Sequence, residues 1–310
     1  MTGVVLGLDG GGTGTRAAVA TAGGIIGRGG AGACNLAAVP LPDALAAALA
    51  AADRALAEAG WGRADITALC AGVAGVSYSE RRDQFQASLQ TAFPSARVAV
   101  EPDYAIALTG ATSGAPGVIV IAGTGSAAYG ENAGRERHKT GAYGYLIDDG
   151  GSGYGVGRAA LAAVLRAADG TGEPTRLSAR IAEALDLSSP ADIIPRVYGG
   201  ELTRVEIAGL SRAVTEAAQE DQDAVARAIL MRAGGVLAHL AHGVTRRLFA
   251  DTSLPFPVVS IGGLWNAGDL LTDVFTRSLR RFAPMAVLTP PLHSPVEGAV
   301  RRAMTLQEES

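Results

Sequence analysis

The residues best equipped for chemistry lie near the start of the chain, where Leu6-Gly7-Leu8-Asp9 runs into Gly10-Gly11-Gly12-Thr13-Gly14-Thr15-Arg16. Glycine tolerates positive φ and leaves backbone N–H groups uncovered, so a compact anion can come close to such a turn. An aspartate beside it suits a hydrated Mg2+, which prefers carboxylate oxygens and keeps several of its waters. The combination reads as a nucleotide-phosphate site with Asp9 holding the metal. A glycine-rich β-hairpin with an ordinary turn aspartate is the plain alternative. The theme recurs at Val118-Ile119-Val120-Ile121-Ala122, which leads into Gly123-Thr124-Gly125-Ser126 and a returning run from Ala127 to Glu131. A third glycine pair, Gly262-Gly263, follows the apolar run 257–261 and precedes Leu264-Trp265-Asn266.

Several other chemistries are excluded by count or spacing. Lys139 is the only lysine and sits outside any G-x-x-x-x-G-K-[ST] pattern, so there is no P-loop. The first glycine turn leads to a strand and not to a helix, which argues against a Rossmann pyrophosphate site. His239 and His242 stand three apart without a third ligand nearby, and read as helix-surface or core residues. Cys34 and Cys70 are too few for a disulfide framework and lack metal-ligand spacing, so both are expected as reduced, buried thiols in a cytoplasmic protein. A net charge of −4 gives no basic face for nucleic acid or an anionic membrane. No signal-peptide pattern precedes the first strand, and no apolar segment approaches a membrane span.

The elements that must position these groups follow from periodicity. Residues 3–9, 14–21 and 23–29 form a β-meander, and a helix opened by Pro42-Asp43 closes at Gly60. A strand at 66–73, a helix at 79–93 and a strand at 96–100 follow, the last delivering Glu101-Pro102-Asp103-Tyr104 to a carboxyl edge where ligands of α/β sheets gather. Residues 112–117 are the best linker. Beyond the second glycine turn, 134–146 is polar and irregular. Helices are predicted at 154–168, 174–186, 190–198, 202–218 and 221–249. A strand at 257–261, a helix at 268–281, a strand at 285–288 and a closing helix from about 294 complete the chain. With 48% hydrophobic and 18% charged residues over 310 positions, two packed α/β domains are expected. Two glycine hairpins, one per domain, suit a triphosphate clamped from opposite sides.

This arrangement resembles the actin, sugar kinase and heat-shock ATPase superfamily. Asp9 to Thr15 looks like its first phosphate motif, Ile121 to Ser126 its second, and Ser260-Ile261-Gly262-Gly263-Leu264-Trp265-Asn266 its adenosine motif. More closely, the chain is similar to the N-acetylglucosamine kinase branch, which shares a family with the ATPase activators of benzoyl-CoA reductase and 2-hydroxyacyl-CoA dehydratases. The matching pieces, including Asn35, Gly72-Val73-Ala74-Gly75, Asp103 and Asp149-Gly150-Gly151-Ser152, run through nearly the whole length in order.

The resemblance implies two ribonuclease H-like (actin-like ATPase) domains with a ligand cleft between them. The first would span 1–113 and the second 114–310, with a helical insertion and a last helix packing back toward the first. It implies ATP and Mg2+ as cofactors, a small-molecule sugar substrate, and no nucleic-acid or membrane partner; a homodimer is compatible with it. Asp103 would be the base that takes the proton from a sugar hydroxyl, the 6-hydroxyl in hexosamine kinases; a helix N-cap is its bland alternative. Gly10, Gly11, Gly12, Thr13, Gly123, Thr124, Gly125 and Ser126 would bind phosphates, and Gly262, Gly263 and Asn266 the nucleoside. Asn35 and Asp149, with Asp103, would hydrogen-bond the sugar, although an Asn in a loop can also cap its own turn. The implied activity is an ATP-dependent hexosamine kinase acting on N-acetylglucosamine or glucosamine.

Two departures bear on the substrate. Asp148-Asp149-Gly150-Gly151-Ser152 stands where the family commonly has Gly-Asp-Glu-Gly-Ser, and no aromatic residue follows Asn35. An activator ATPase would need exposed cysteine ligands for an iron–sulfur cluster. A non-catalytic sugar sensor would tolerate loss of Asp103.

Overall fold

The computed structural model describes residues 3–76 and 79–308. The chain separates into two units, Met1–Pro116 with Pro291–Ser310, and Gly117–Pro290. The break lies at Pro116 where the sequence suggests 113, and the final segment from Pro291 folds with the first unit.

In the first unit, β1 (Val4–Gly10), β2 (Thr15–Thr21) and β3 (Gly24–Ala31) form an antiparallel meander. Crossovers through α1 (Leu41–Ala59) and α2 (Ser79–Ala92) bring β4 (Ile66–Val73) and β5 (Arg97–Pro102) in parallel, giving the order β3-β2-β1-β4-β5. α1 is rich in alanine where it meets β3, and the strand answers with glycine. A Cβ on Gly27 would stand 2.2 Å from the carbonyl of Ala55, and one on Gly29 2.1 Å from that of Ala51. Small residues on both sides let the helix backbone lie directly on the strand.

Alternation along β1 divides the core in two. Val4, Leu6 and Leu8 pack with Ala44 and Ala48 of α1 and with Phe85 and Leu89 of α2. Val5 belongs to a second cluster with Ile106 of α3 (Asp103–Thr112) and with Val296, Ala299 and Val300 near the chain's end. By the same period-two rule, Asp9 shares the face of Val5, the side on which α3 lies.

In the second unit, β6 (Gly117–Ala122), β7 (Ser126–Glu131) and β8 (Arg137–Gly141) repeat the meander, and β9 (Phe256–Ile261) and β10 (Ala286–Thr289) add in parallel. The order β10-β9-β6-β7-β8 reproduces the first sheet's topology. The helical insertion comprises α4 (Gly153–Asp169), α5 (Leu177–Leu185), α6 (Ile193–Tyr198), α7 (Arg204–Gly209), α8 (Ser211–Gln219) and α9 (Ala224–Leu248); α10 (Asp269–Phe282) joins β9 to β10. Val118 and Val120 of β6, Leu230 and Leu237 of α9, and Leu271 and Phe275 of α10 share one buried core. α11 (Pro295–Glu308) then lies against α3 of the first unit, so close that a Cβ on Gly298 would stand 2.0 Å from the Ile106 carbonyl.

Four details differ from the sequence-based expectation. Residues 137–141, expected to be irregular, form edge strand β8, whose Arg-His-Lys-Thr run carries no apolar alternation. Charged edge strands of this kind discourage pairing with other chains. Residues 103–112, for which the sequence predicts no element, form α3, buried along most of its length and so without an amphipathic period. The helix expected over 202–218 is two, α7 and α8, separated at Leu210. Finally, α9 is long and apolar enough to cross a membrane by length and composition, against the expectation that no segment is; its apolar residues are part of the second unit's core.

Candidate active site

The first glycine turn is held from behind and open in front. Gly11 N–H donates to the Gly14 carbonyl (2.9 Å), Cys34 N–H to Gly11 (2.9 Å) and Ala74 N–H to Gly10 (2.8 Å). Gly12 and Thr13 are exposed, and their N–H groups meet no protein acceptor among the described residues. Those are the donors an anion needs. Beside the turn lies a hollow of about 550 Å3 lined by Asp9, Thr13, Thr15, Arg16, Gly30 and Arg54, among others.

Asp9 is the last residue but one of β1, its side chain only 15% exposed, and Arg16 Nη1 stands 3.7 Å from its carboxylate. Burial pushes its pKa up to about 6; Arg16 works against that shift, and the charge of Asp103 adds to it. Asp103 is therefore an electrostatic neighbour of Asp9, as their shared face requires. It is the first residue of α3 and not its N-cap, which is Pro102. Its Oδ1 accepts the N–H of Tyr104 (2.9 Å). Burial and the Asp103 charge raise the Tyr104 phenol in turn.

Asn35 joins the same cluster. Its Oδ1 accepts the Ala37 N–H (2.9 Å), so the oxygen is used by the residue's own turn. Its Nδ2 faces Gly12, 3.7 Å from where a Cβ would stand there. Leu36 N–H donates to Ala74 (2.9 Å), stitching this loop to the end of β4. Asp9, Gly10 to Thr13, Asn35, Gly72 to Gly75 and Asp103 are thus gathered at one edge of the first sheet.

The second unit gathers the rest. The Gly123–Ser126 turn closes with Gly123 N–H on Gly125 (3.0 Å), and Gly153, first residue of α4, donates to the Gly123 carbonyl (2.8 Å). Thr124 is exposed, and its backbone N–H has no protein acceptor among the described residues. Asp149 is placed behind this turn: its Oδ1 accepts both N–H (2.7 Å) and Oγ–H (3.1 Å) of Ser126, and its Oδ2 pairs with Arg204 (3.4 Å). With its side chain 3% exposed, this carboxylate braces the turn. Gly262 adopts φ 110°, and a Cβ there would meet the Ala122 carbonyl at 2.4 Å, so glycine is required for the β9 end to lie against the turn. Gly263 and Asn266 are exposed, and no protein atom partners the Asn266 amide among the described residues. Trp265 is a packing residue, its Nε1–H bonded to the Val120 carbonyl (3.1 Å) and its ring edge-on to Phe275.

Sequence reasoning misses Arg16 and Arg204. Arg204 stands 55 positions from Asp149, on a helix whose pattern carries no chemical signal. His239 bonds the Gly235 carbonyl and His242 stacks on Phe282, both on helix α9. Cys34 and Cys70 are each 1% exposed. Burial pushes the Cys34 thiol up to about 12 and raises Cys70 as well.

The chain is 31% identical over 236 residues to an N-acetylmuramic acid/N-acetylglucosamine kinase of Clostridium acetobutylicum, covering 76% of each protein. It is 31% identical over 212 residues to an N-acetyl-D-glucosamine kinase of Dictyostelium discoideum, covering 68% of this chain and 66% of that one. The crystal structure of a candidate N-acetylglucosamine kinase from Chromobacterium violaceum superposes with a TM-score of 0.79 at 26% identity, over 99% of both chains. The family model of the BadF/BadG/BcrA/BcrD ATPases matches residues 6–303, and the chain belongs to that family.

Proposed function

We propose that this protein is an ATP-dependent amino-sugar kinase that phosphorylates N-acetylglucosamine or glucosamine on the 6-hydroxyl. The observation that carries the reading is the pair Asp9 and Asp103 on one face of the first sheet, beside a glycine turn with free N–H groups. Phosphoryl transfer needs little more than positioning and charge neutralisation around an in-line attack.

In this reading the sugar hydroxyl gives its proton to the Asp103 carboxylate as its oxygen attacks the γ-phosphorus. The bond from that phosphorus to the β–γ bridging oxygen breaks, and the electron pair leaves with ADP. The N–H groups of Gly12, Thr13 and Thr124 receive phosphate oxygens, Asn35 offers Nδ2 to a sugar hydroxyl, and Gly262, Gly263 and Asn266 receive the nucleoside. Asp9 fits a hydrated divalent cation: it is a largely buried carboxylate whose ionised form is disfavoured until positive charge arrives, and its cationic neighbour Arg16 is 3.7 Å away. Mg2+ held there through water would neutralise the phosphates.

The activator-ATPase reading of the family loses support from the cysteines, both buried where that reading needs them exposed as cluster ligands. Anaerobically purified protein is expected colourless and iron-free.

A coupled ADP-release assay across glucosamine, N-acetylglucosamine, N-acetylmuramic acid, N-acetylmannosamine and glucose tests the proposal. Turnover is expected with the first two and little with glucose. ATP hydrolysis unaffected by any sugar would overturn it.

A further inference from the structure

The side chain that the proposed reaction leaves unused is Arg204, the first residue of α7. Its place is fixed by its own helix. Thr203 N–H donates to Glu206 Oε2 (2.7 Å) and Glu206 N–H to Thr203 Oγ1 (3.3 Å), a capping box around the first turn. α7 in turn lies hard against α4, where a Cβ on Gly157 would stand 1.9 Å from the Ile207 carbonyl. The arginine is therefore delivered from a braced element and not from a loose loop.

What it is delivered to is the second glycine turn. Arg204 Nη2 stands 3.4 Å from Asp149 Oδ2 and 2.9 Å from where a Cβ on Gly125 would be. The guanidinium carbon lies 5.4 Å from the centre of the Tyr145 ring, which itself packs edge-on to Tyr154. One nitrogen thus makes a long ion pair, while Nε and Nη1 meet no protein acceptor among the described residues, and the side chain remains 41% exposed. A cation held merely to satisfy Asp149 would not need a supporting ring, nor donors left over above a glycine.

We infer that Arg204 is a ligand for the β- and γ-phosphates of the nucleotide, supplied in cis by the helical insertion, and that Asp149 positions it. The inference rests on the kinase reading above and deepens it. Guanidinium groups suit this task because their planar fork matches phosphate oxygens and stays charged at every working pH. Asp149 then serves the turn twice. Oδ1 fixes Ser126 at its end, and Oδ2 holds the arginine over its middle without fully neutralising it, since the long contact leaves two donors free. Gly125 matters for the same reason: any side chain there would fill the space in which a phosphate oxygen would reach Nη2.

Calorimetric titration of the whole protein with ATP, ADP and adenosine, in Mg2+ buffer, tests this with Arg204→Gln and Arg204→Lys beside the native chain. A charge-assisted hydrogen-bond pair to phosphate corresponds to a loss on the order of tenfold to hundredfold in affinity. Arg204→Gln is expected to lose that much for ATP and ADP and to bind adenosine within about twofold of the native protein. Arg204→Lys, with the charge but not the fork, should fall between. Native ATP affinity in Arg204→Gln, or an equal loss for adenosine, would overturn the inference and leave the kinase reading standing. If the native protein itself bound no ATP, the kinase reading and this one would fall together.

Discussion

The two sheets share one topology and have divided the chemistry between them. In each, a three-strand meander opens the unit and two parallel strands follow, in the orders β3-β2-β1-β4-β5 and β8-β7-β6-β9-β10. The tips differ. The first hairpin closes from Gly10 to Thr15 around four residues, and the second from Ala122 to Ser126 around three. In the first, the residue that meets the returning strand one step before the turn is Asp9, opposite Arg16; in the second, Ile121 stands opposite Ala127. The first tip thus carries one acid, Asp9, with Asp103 at the head of α3 as its electrostatic neighbour. The second carries none in the open, its nearest carboxylate being turned inward to hold Ser126 and an arginine. A duplicated scaffold needs only a few side chains at its tips to acquire opposite charges. The acidic tip suits a metal and a proton acceptor, the cationic one a phosphate.

The largest break in this comparison comes from Asp9. Removing the charge with Asp9→Asn is expected to cost catalysis on the order of a hundredfold or more, because in the proposed reaction Asp9 would hold a metal ion that neutralises the charge shifting between phosphate oxygens. The same change is expected to stabilise the fold. With a pKa raised from 3.8 to about 6, the native state keeps a proton that the unfolded chain loses over that range, so stability falls as pH rises from about 4 to 6 and levels off above. The ionised group costs about 1–3 kcal/mol at pH 8 after allowance for relaxation around the site. Asp9→Asn should therefore unfold at higher urea than the native protein at pH 8 and at nearly the same urea at pH 4. Equal midpoints at both pH values would mean that Asp9 is not strained by burial.

A smaller effect contrasts the glycines. Gly262→Ala places a methyl group against the Ala122 carbonyl at a positive φ, and should destabilise by about 2–3 kcal/mol, seen as a lower urea midpoint. Gly12→Ala meets nothing closer than 3.7 Å, and should shift the midpoint by less than about 0.5 kcal/mol. Equal losses would mean that Gly262 is not packed against the Ala122 carbonyl while Gly12 stands in the open.

Much of this is legible in the sequence, and the exceptions share a cause. The first meander, the hairpin of the second unit and both glycine tips announce themselves because alternating apolar residues and clustered glycines are local signals. β8 does not, because an edge strand reading Arg-His-Lys-Thr is defined by its pairing with β7 and not by its own pattern. α3 escapes because a helix covered on nearly all sides loses the period that would reveal it. Asp149 can be placed beside a site but not oriented, since which way a carboxylate faces depends on Ser126 and Arg204, far from it in sequence. Arg204 is invisible: one arginine among many, made notable only by the packing of α7 on α4.

The central claim is that Asp103 is the base of a sugar kinase, and one measurement reaches it directly. In a single-turnover experiment with N-acetylglucosamine and γ-labelled ATP, Asp103→Asn is expected to transfer phosphate to the sugar on the order of 10²–10⁴-fold more slowly than the native protein, with ATP affinity within about twofold. Transfer at the native rate would contradict the assignment of Asp103 as the base.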